Sequence, residues 1–366
     1  MPFANWLKGF YAGQKKYGSK DRKHIAHLCY SYFRLGNAFS YLPVEERLLV
    51  GLFLSSTSSL FILQELKPEW NNRISASIQE KLSMLKATHE INKLFKWSVE
   101  ISDEINHDEF ALSFLIQPLL FLRIRPGQRE KVINKLKKID VPFEIKSEDC
   151  VALENGTKIE DIFQLDKEIV IQDFSSQQVV QGLKAAINED ELIETWDCCA
   201  ASGGKSILLK DHFPKVYLTV SDIRASIIHN LRNRFQRAGI HHYQSLVLDV
   251  SKPGFKMDKS FDVIVCDAPC SGSGTWSRTP EQMYFFDQTK IQYYAGLQKQ
   301  IAENASWYIK PGGFFLYITC SVFKQENEAV VEHLVKSTSM KLISATYHKG
   351  YHQKADTLFS ALFQSL

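Results

Sequence analysis

No stretch of this 366-residue chain holds the roughly 18–20 consecutive apolar residues that span a bilayer, so no membrane partner is expected. The N-terminus, MPFANWLKGFYAGQKKYGSK, lacks the apolar core of a secretory leader, and a cytoplasmic location is expected. There is no CxxC pair among the seven cysteines Cys29, Cys150, Cys198, Cys199, Cys266, Cys270 and Cys320. Cys266 and Cys270 stand four apart with no matching second pair, so no metal is expected. An odd cysteine count without a leader also argues against a disulfide framework. Internal repeats and low-complexity tracts are missing as well. What remains, 45% hydrophobic and 23% charged, is globular in composition. It is too long for one ordinary domain, and nothing in it suggests more than a monomer.

Net charge is only +3, but the charge is uneven. Residues 1–40 hold Lys8, Lys15, Lys16, Lys20, Arg22, Lys23 and Arg34 against Asp21 alone. Residues 121–138 hold Arg123, Arg125, Arg129, Lys131, Lys135, Lys137 and Lys138 against Glu130. Two basic clusters fit a polyanionic partner or, more plainly, a solvated face.

Residues 1–113 read as helical: HIAHLCYSYFRLG, RLLVGLFLSSTSSLFILQEL and SIQEKLSMLKATHEINKLF repeat apolar residues at helical spacing, with Pro43 and Pro68 at helix ends. Residues 114–170 read as a small α+β unit. LLFLRIRP is a strand with arginines on one side, GQREKVINKLKKIDV a basic helix, and FEIKSEDCVALENGTKI two short strands with an Asn155-Gly156 turn. Such a surface suits nucleic acid. Residues 171–366 alternate strands and helices, the sign of a parallel α/β sheet. Strands are expected at LIETWDCCA, VYLTVSD, QSLVLD, FDVIVCD and GGFFLYITC, and a helix at ASIIHNLRNRFQRAG that ends at Gly239.

The first of these strands ends in Asp197 and runs into CCAASGGKS, a turn of small residues that lets backbone N–H groups approach a ligand. A Walker A loop would need glycine at position 199, which is Cys199, and the dinucleotide G-x-G-x-x-G is absent. The remaining reading is the glycine turn of a sheet that binds S-adenosyl-L-methionine (SAM). Asp222, closing the second strand, suits ribose hydroxyls, and Asp249, closing the third, suits the adenine edge. Either acid alone also serves as a helix N-cap. The expected cofactor site is therefore Cys199, Ala200, Ala201, Ser202, Gly203, Gly204 and Lys205, with Asp222, Asp249 and Asp267.

The fourth strand leads into DAPCSGSG and the fifth into TCSVF, so Cys270 and Cys320 each sit just past a carboxyl edge, where such sheets bind ligands. Buried core cysteines belong inside strands, as Cys266 does; these two lie in turns beside Gly, Ser and Pro. Carbon 5 of cytosine is a poor nucleophile towards a methyl donor. A thiolate adding to carbon 6 creates an enamine whose carbon 5 can attack, and cysteine is the side chain suited to that reversible addition. Asp267 is placed to protonate or hydrogen-bond N3 of the base, or else to cap the following turn. Lys205 either contacts the base or faces solvent, and Arg278 in TWSRTPE is a candidate phosphate contact beside Arg123 and Arg125.

With these residues in view, the chain resembles the Sun/RsmB family of RNA cytosine-5 methyltransferases, well over residues 114–366 and weakly before them. The motifs DAPCSGSG and TCSVFKQENEAVV carry the likeness. It implies a Rossmann-like SAM-dependent methyltransferase sheet, a small α+β RNA-binding subdomain and an N-terminal helical domain similar to NusB. It implies Cys320 as nucleophile, Cys270 as the aid to product release, and Asp267 and Lys205 at the target base. IQDFSSQ, with Gln172, Asp173, Ser175, Ser176 and Gln177, matches the opening of the family's catalytic domain, and Asn327 and Glu328 match its ENE motif. The helical likeness favours ribosomal RNA as substrate. Transfer RNA, a silent RNA-binding assembly factor and a DNA cytosine methyltransferase are the competing readings. Two positions depart from the family: Ser202 replaces a proline, for which a looser turn is expected, and Thr357 replaces a glycine near the C-terminus.

Overall fold

The structure is a computed structural model that describes residues 3–14, 16–188 and 190–366; Lys15 of the N-terminal basic cluster lies outside the described residues. The chain forms two compact units. One comprises Met1–Pro118, Ser273–Gln288 and Tyr351–Lys354, the other Leu119–Gly272, Thr289–Gly350 and Ala355–Leu366.

The first unit is helical: α1 (Phe3–Gly13), α2 (Ser19–Arg34), α3 (Val44–Ser55), α4 (Phe61–Leu66), α5 (Pro68–Asn71), α6 (Ile78–Met84), α7 (Ile91–Leu94) and α8 (His107–Ser113). Pro43 precedes α3 and Pro68 starts α5, positions that suit a residue without an N–H. The run at 47–66 is two helices, since Ser56 turns extended at the end of α3. Leu49, Leu52, Phe53, Leu63 and Ile74 form its core. Arg34 of the first basic cluster is 4% exposed; its guanidinium donates to the carbonyls of Phe114 (2.7 Å) and Ser277 (3.0 Å) and so staples this unit internally.

The second unit opens with a four-stranded antiparallel sheet, ordered β2-β3-β1-β4, with one helix. Its parts are β1 (Leu120–Ile124), α9 (Arg129–Lys138), β2 (Phe143–Ser147), β3 (Cys150–Leu153) and β4 (Ile169–Ile171). The β2–β3 turn falls at 148–149. The Asn155-Gly156 turn follows β3 instead, with Gly156 at φ +93°. Helices α10 (Phe174–Gln178) and α11 (Gln181–Ala186) lead into the main sheet.

That sheet contains β5 (Ile193–Asp197), α12 (Gly204–His212), β6 (Val216–Asp222), α13 (Ala225–Arg237), β7 (Tyr243–Val247) and β8 (Phe261–Asp267). The connection after β8 carries α14 (Pro280–Phe285), which belongs to the helical unit. Next come α15 (Thr289–Ser306), β9 (Ile309–Thr319), α16 (Glu328–Ser337), β10 (Met340–Lys349) and β11 (Thr357–Ser365). The strand order is β10-β11-β9-β8-β5-β6-β7, parallel from β9 to β7, with β11 antiparallel to both β9 and β10. All five expected strands of this sheet are present. Chain order reverses between β5 and β8, the switch point where a crevice opens at the carboxyl ends. Thr357 is 1% exposed and pairs with Lys349 in the ladder, so losing glycine there leaves strand pairing intact.

Candidate active site

The glycine turn owes its shape to two positive φ angles, +45° at Ala201 and +82° at Gly203. A Cβ on Gly203 would lie 2.7 Å from the Phe235 ring, so both the conformation and the close approach of α13 demand glycine. Ser202 does not loosen the turn, contrary to expectation: Arg234 Nη1 donates to its hydroxyl at 3.0 Å and its carbonyl at 3.3 Å, pinning the loop to α13. Ser206 Oγ donates to Asp197 at 2.6 Å, fixing the start of α12 to the end of β5. Asp197 is fully buried. Burial raises its pKa to about 7, against the Ser206 hydrogen bond.

A cavity of about 470 Å³ opens beside this turn. Cys199, Ala201, Asp222, Asp249, Asp267 and Cys270 line it, together with apolar residues that include Ile223, Leu248 and Val250. Ala200, Ser202, Gly203 and Gly204 shape the turn rather than line the cavity: Ala200 packs in the core, Gly203 caps α12 and Gly204 begins it. Burial opposes ionisation of Asp222, but Arg224 (2.9 and 3.0 Å) and the Ala201 amide outweigh it and hold its pKa low. Asp249 is likewise held low, first by the Ser251 hydroxyl at 2.5 Å. Two carboxylates kept ionised at successive strand ends, apolar walls for a flat ring and the N-terminus of α12 fit SAM in size and chemistry.

Cys270, in the cavity wall, meets Cys320. Cys270 Sγ and Cys320 Sγ lie 3.2 Å apart, because β8 and β9 are parallel neighbours and each thiol sits just past its strand. The Cys270 thiol is pushed well above its usual pKa by its contact with the Cys320 sulfur and by burial, so it keeps its proton. Lys205 Nζ donates to Asp267 Oδ2 at 2.6 Å, which places the lysine in the site rather than in solvent. Burial works against the Lys205 charge, but Asp267, Cys320 and Asp197 more than restore it.

Two positioning groups lie beside the thiols, and of these Glu326 was not singled out from the sequence. The Glu326 carboxylate accepts from the Ser271 amide (2.9 Å), the Ser321 hydroxyl (2.8 Å) and Gln298 (2.9 Å). It thereby ties the residue after Cys270 to the residue after Cys320. Asn327, expected only as a motif match, accepts from the Thr319 hydroxyl at 2.6 Å and donates to the Ser321 carbonyl at 2.8 Å, bracketing Cys320. The first link is invisible in sequence because its partners lie 55 residues apart.

The expected RNA contacts Arg123 and Arg125 require correction. Arg123 is 1% exposed and pairs with Gln172 (2.8 Å) and Asp211; Arg125 donates to the same Asp211 at 2.8 Å. Both line a second cavity of about 440 Å³, but their guanidinium groups are engaged in fastening β1 to α12. A strand arginine faces a carboxylate here because α12 supplies Asp211 directly opposite it. Arg278 lies half-buried in the helical unit. The IQDFSSQ motif is structural: Gln172 holds Arg123, Gln177 donates to Cys150 Sγ at 3.3 Å, and Asp173 accepts from the Asp356 amide at 3.0 Å.

A mostly parallel sheet of this order, with a glycine turn after β5 and carboxylates closing the next two strands, is the Rossmann-like fold of SAM-dependent methyltransferases. Residues 183–361 match the sequence model of the 16S rRNA methyltransferase RsmB/F family. It is 31% identical over 174 residues to ribosomal RNA small subunit methyltransferase B of Xanthomonas campestris, covering 47% of this chain and 39% of that protein. It is 29% identical over 262 residues to ribosomal RNA small subunit methyltransferase F of Shewanella loihica, covering 67% and 51%. The chain thus spans about half or less of the length of these relatives. The solved structure of PH0851 shares the fold, with a TM-score of 0.70 at 19% identity over 98% of this chain and 93% of that one.

Proposed function

We propose that this protein transfers the methyl group of SAM to carbon 5 of a cytosine in RNA, through a covalent bond between Cys320 and the base. The observation that carries this reading is the 3.2 Å approach of two thiols beside the Lys205–Asp267 pair, at the edge of a nucleoside-sized cavity.

The residues divide the work as follows. The target base leaves its stack to reach the thiols. The Cys320 thiolate, next to the Lys205 ammonium, adds to carbon 6, while N3 takes a proton from the Lys205–Asp267 pair. Bound SAM supplies an electrophilic methyl group that carbon 5 captures. Elimination then requires loss of the carbon 5 proton and departure of the Cys320 sulfur. Cys270 donates its proton to that departing sulfur and, as a thiolate, takes the carbon 5 proton, while the N3 proton returns to the Lys205–Asp267 pair. Cys320 later releases its proton to solvent, so the proton displaced by the methyl group reaches water.

We infer small-subunit ribosomal RNA as the substrate, from the family match and from the relatives named for that activity. Such a substrate places the enzyme in the cytoplasm, and a site built from one chain needs no second copy. The test is bisulfite sequencing of cellular RNA with and without the gene. One or more non-converting cytosines in small-subunit RNA should become convertible when the gene is removed. Loss confined to transfer RNA, or no loss, contradicts the substrate.

A further inference from the structure

We propose that Cys198, Cys199 and Cys266 form a three-thiolate site for Zn²⁺, or a divalent ion of like softness, in the floor of the SAM cavity. This rests on the reading of that cavity as the SAM site.

The cluster is created by the sheet. Strands β5 and β8 are parallel neighbours in which Asp197 faces Val265, so the next residues along, Cys198 and Cys266, come together. The Cys198 amide donates to the Val265 carbonyl at 2.9 Å and locks this register. Cys199, first in the glycine turn, adds the third sulfur. The three sulfur atoms lie within 4.8 Å of one another. A four-coordinate zinc with Zn–S bonds of about 2.3 Å places its sulfurs about 3.8 Å apart. The site therefore needs to close by about 1 Å at most.

The ligand type selects the ion. Thiolates favour Zn²⁺ and its soft congeners over Mg²⁺ or Ca²⁺, which take oxygen. Cys198 and Cys266 are buried at 1% and 0% exposure, whereas Cys199 is half-buried; Cys198 and Cys199 both line the cavity. That asymmetry gives an entry path and leaves the fourth coordination position facing the cavity. Cys150 makes the contrast: it is equally buried but solitary, and Gln177 occupies its sulfur. The lack of a CxxC pair said nothing about this cluster, because its ligands come from neighbouring strands.

Cys199 belongs to both the metal site and the cavity wall, so ion and SAM affect each other's affinity reciprocally. The test uses the full chain with Cys270→Ser and Cys320→Ser, which removes the other close thiol pair, and Co²⁺ as a spectroscopic probe. One equivalent should bind with thiolate-to-cobalt charge transfer and tetrahedral d–d bands, be displaced by Zn²⁺, and bind at least tenfold more weakly in saturating SAM. Adding Cys198→Ala and Cys266→Val should abolish the signal. If that variant does not fold, Zn²⁺ should instead slow alkylation of Cys199, read by peptide mass, in the protein lacking only Cys270 and Cys320. Absence of the cobalt bands, or unaltered Cys199 labelling, overturns the proposal. SAM binding measured separately then shows whether the cavity reading survives without it.

Discussion

Cys270 and Cys320 are nearly in contact, yet they are not equivalent. Cys270 lines the cavity and holds its proton; Cys320 lies beside the Lys205 ammonium. In the proposed mechanism that difference gives attack to one and release to the other. Their separation depends on Glu326, which accepts hydrogen bonds from both cysteine turns. Glu326→Gln should leave SAM affinity unchanged and slow single-turnover methyl transfer by about 10- to 100-fold, the cost of misplacing reacting groups by a fraction of an ångström. A lower melting temperature with an unaltered single-turnover rate would reduce Glu326 to a structural role. The cysteines and Asp267 stand out in the sequence because they lie at or just past strand ends, and Lys205 because it follows the glycine turn at the start of α12. Glu326 does not, because a buried clamp is defined by its partners.

The strands that position the site were read most accurately where they are buried throughout. VYLTVSD and FDVIVCD coincide with β6 and β8, since no polar face competes with the apolar run. β10 was not anticipated. It is an edge strand with most of its residues exposed, and it pairs only because β11 offers it a ladder. In the small sheet the Asn155-Gly156 turn forms as expected but follows β3, while β2 and β3 close at 148–149 beside a register shift near Ile145 and Ser147. The glycine turn allows a sharp test. Gly203→Ala forces a side chain into φ +82° and against the Phe235 ring. It should cost about 1–3 kcal/mol in urea unfolding and weaken SAM binding at least tenfold. Unchanged stability would mean that α13 yields freely.

Across the sheet-bearing unit, ion pairs lash the small sheet to the larger one. Arg123 and Arg125 share Asp211, and Arg234 and Arg237 share Asp166 (2.6 and 2.8 Å). The charge pattern of residues 121–138 looked like a nucleic-acid face because sequence records the arginines without the acids opposite them. Removing one partner of the buried Arg123–Asp211 pair, as in Asp211→Ala, should destabilise the protein by about 3–5 kcal/mol in urea unfolding. Little change would show that water or a neighbouring acid rescues Arg123. A second pair sets the acid limit. Burial alone would raise the Glu168 pKa, but Lys131, Lys135 and the Gln164 amide hold it at about 2, below its ordinary 4.5. A lowered carboxyl pKa gives stability that is full above 4.5 and lost as pH falls towards 2. The urea midpoint should fall over that window, and Glu168→Gln should flatten the fall.

Which sulfur bonds to the base is read directly from intact-protein mass after mixing with SAM and an RNA substrate. Cys270→Ala should accumulate a protein–RNA species carrying the transferred methyl group, while Cys320→Ala should give none. A linked species formed by Cys320→Ala, or its absence from both variants, would contradict the assignment of attack to Cys320 and release to Cys270.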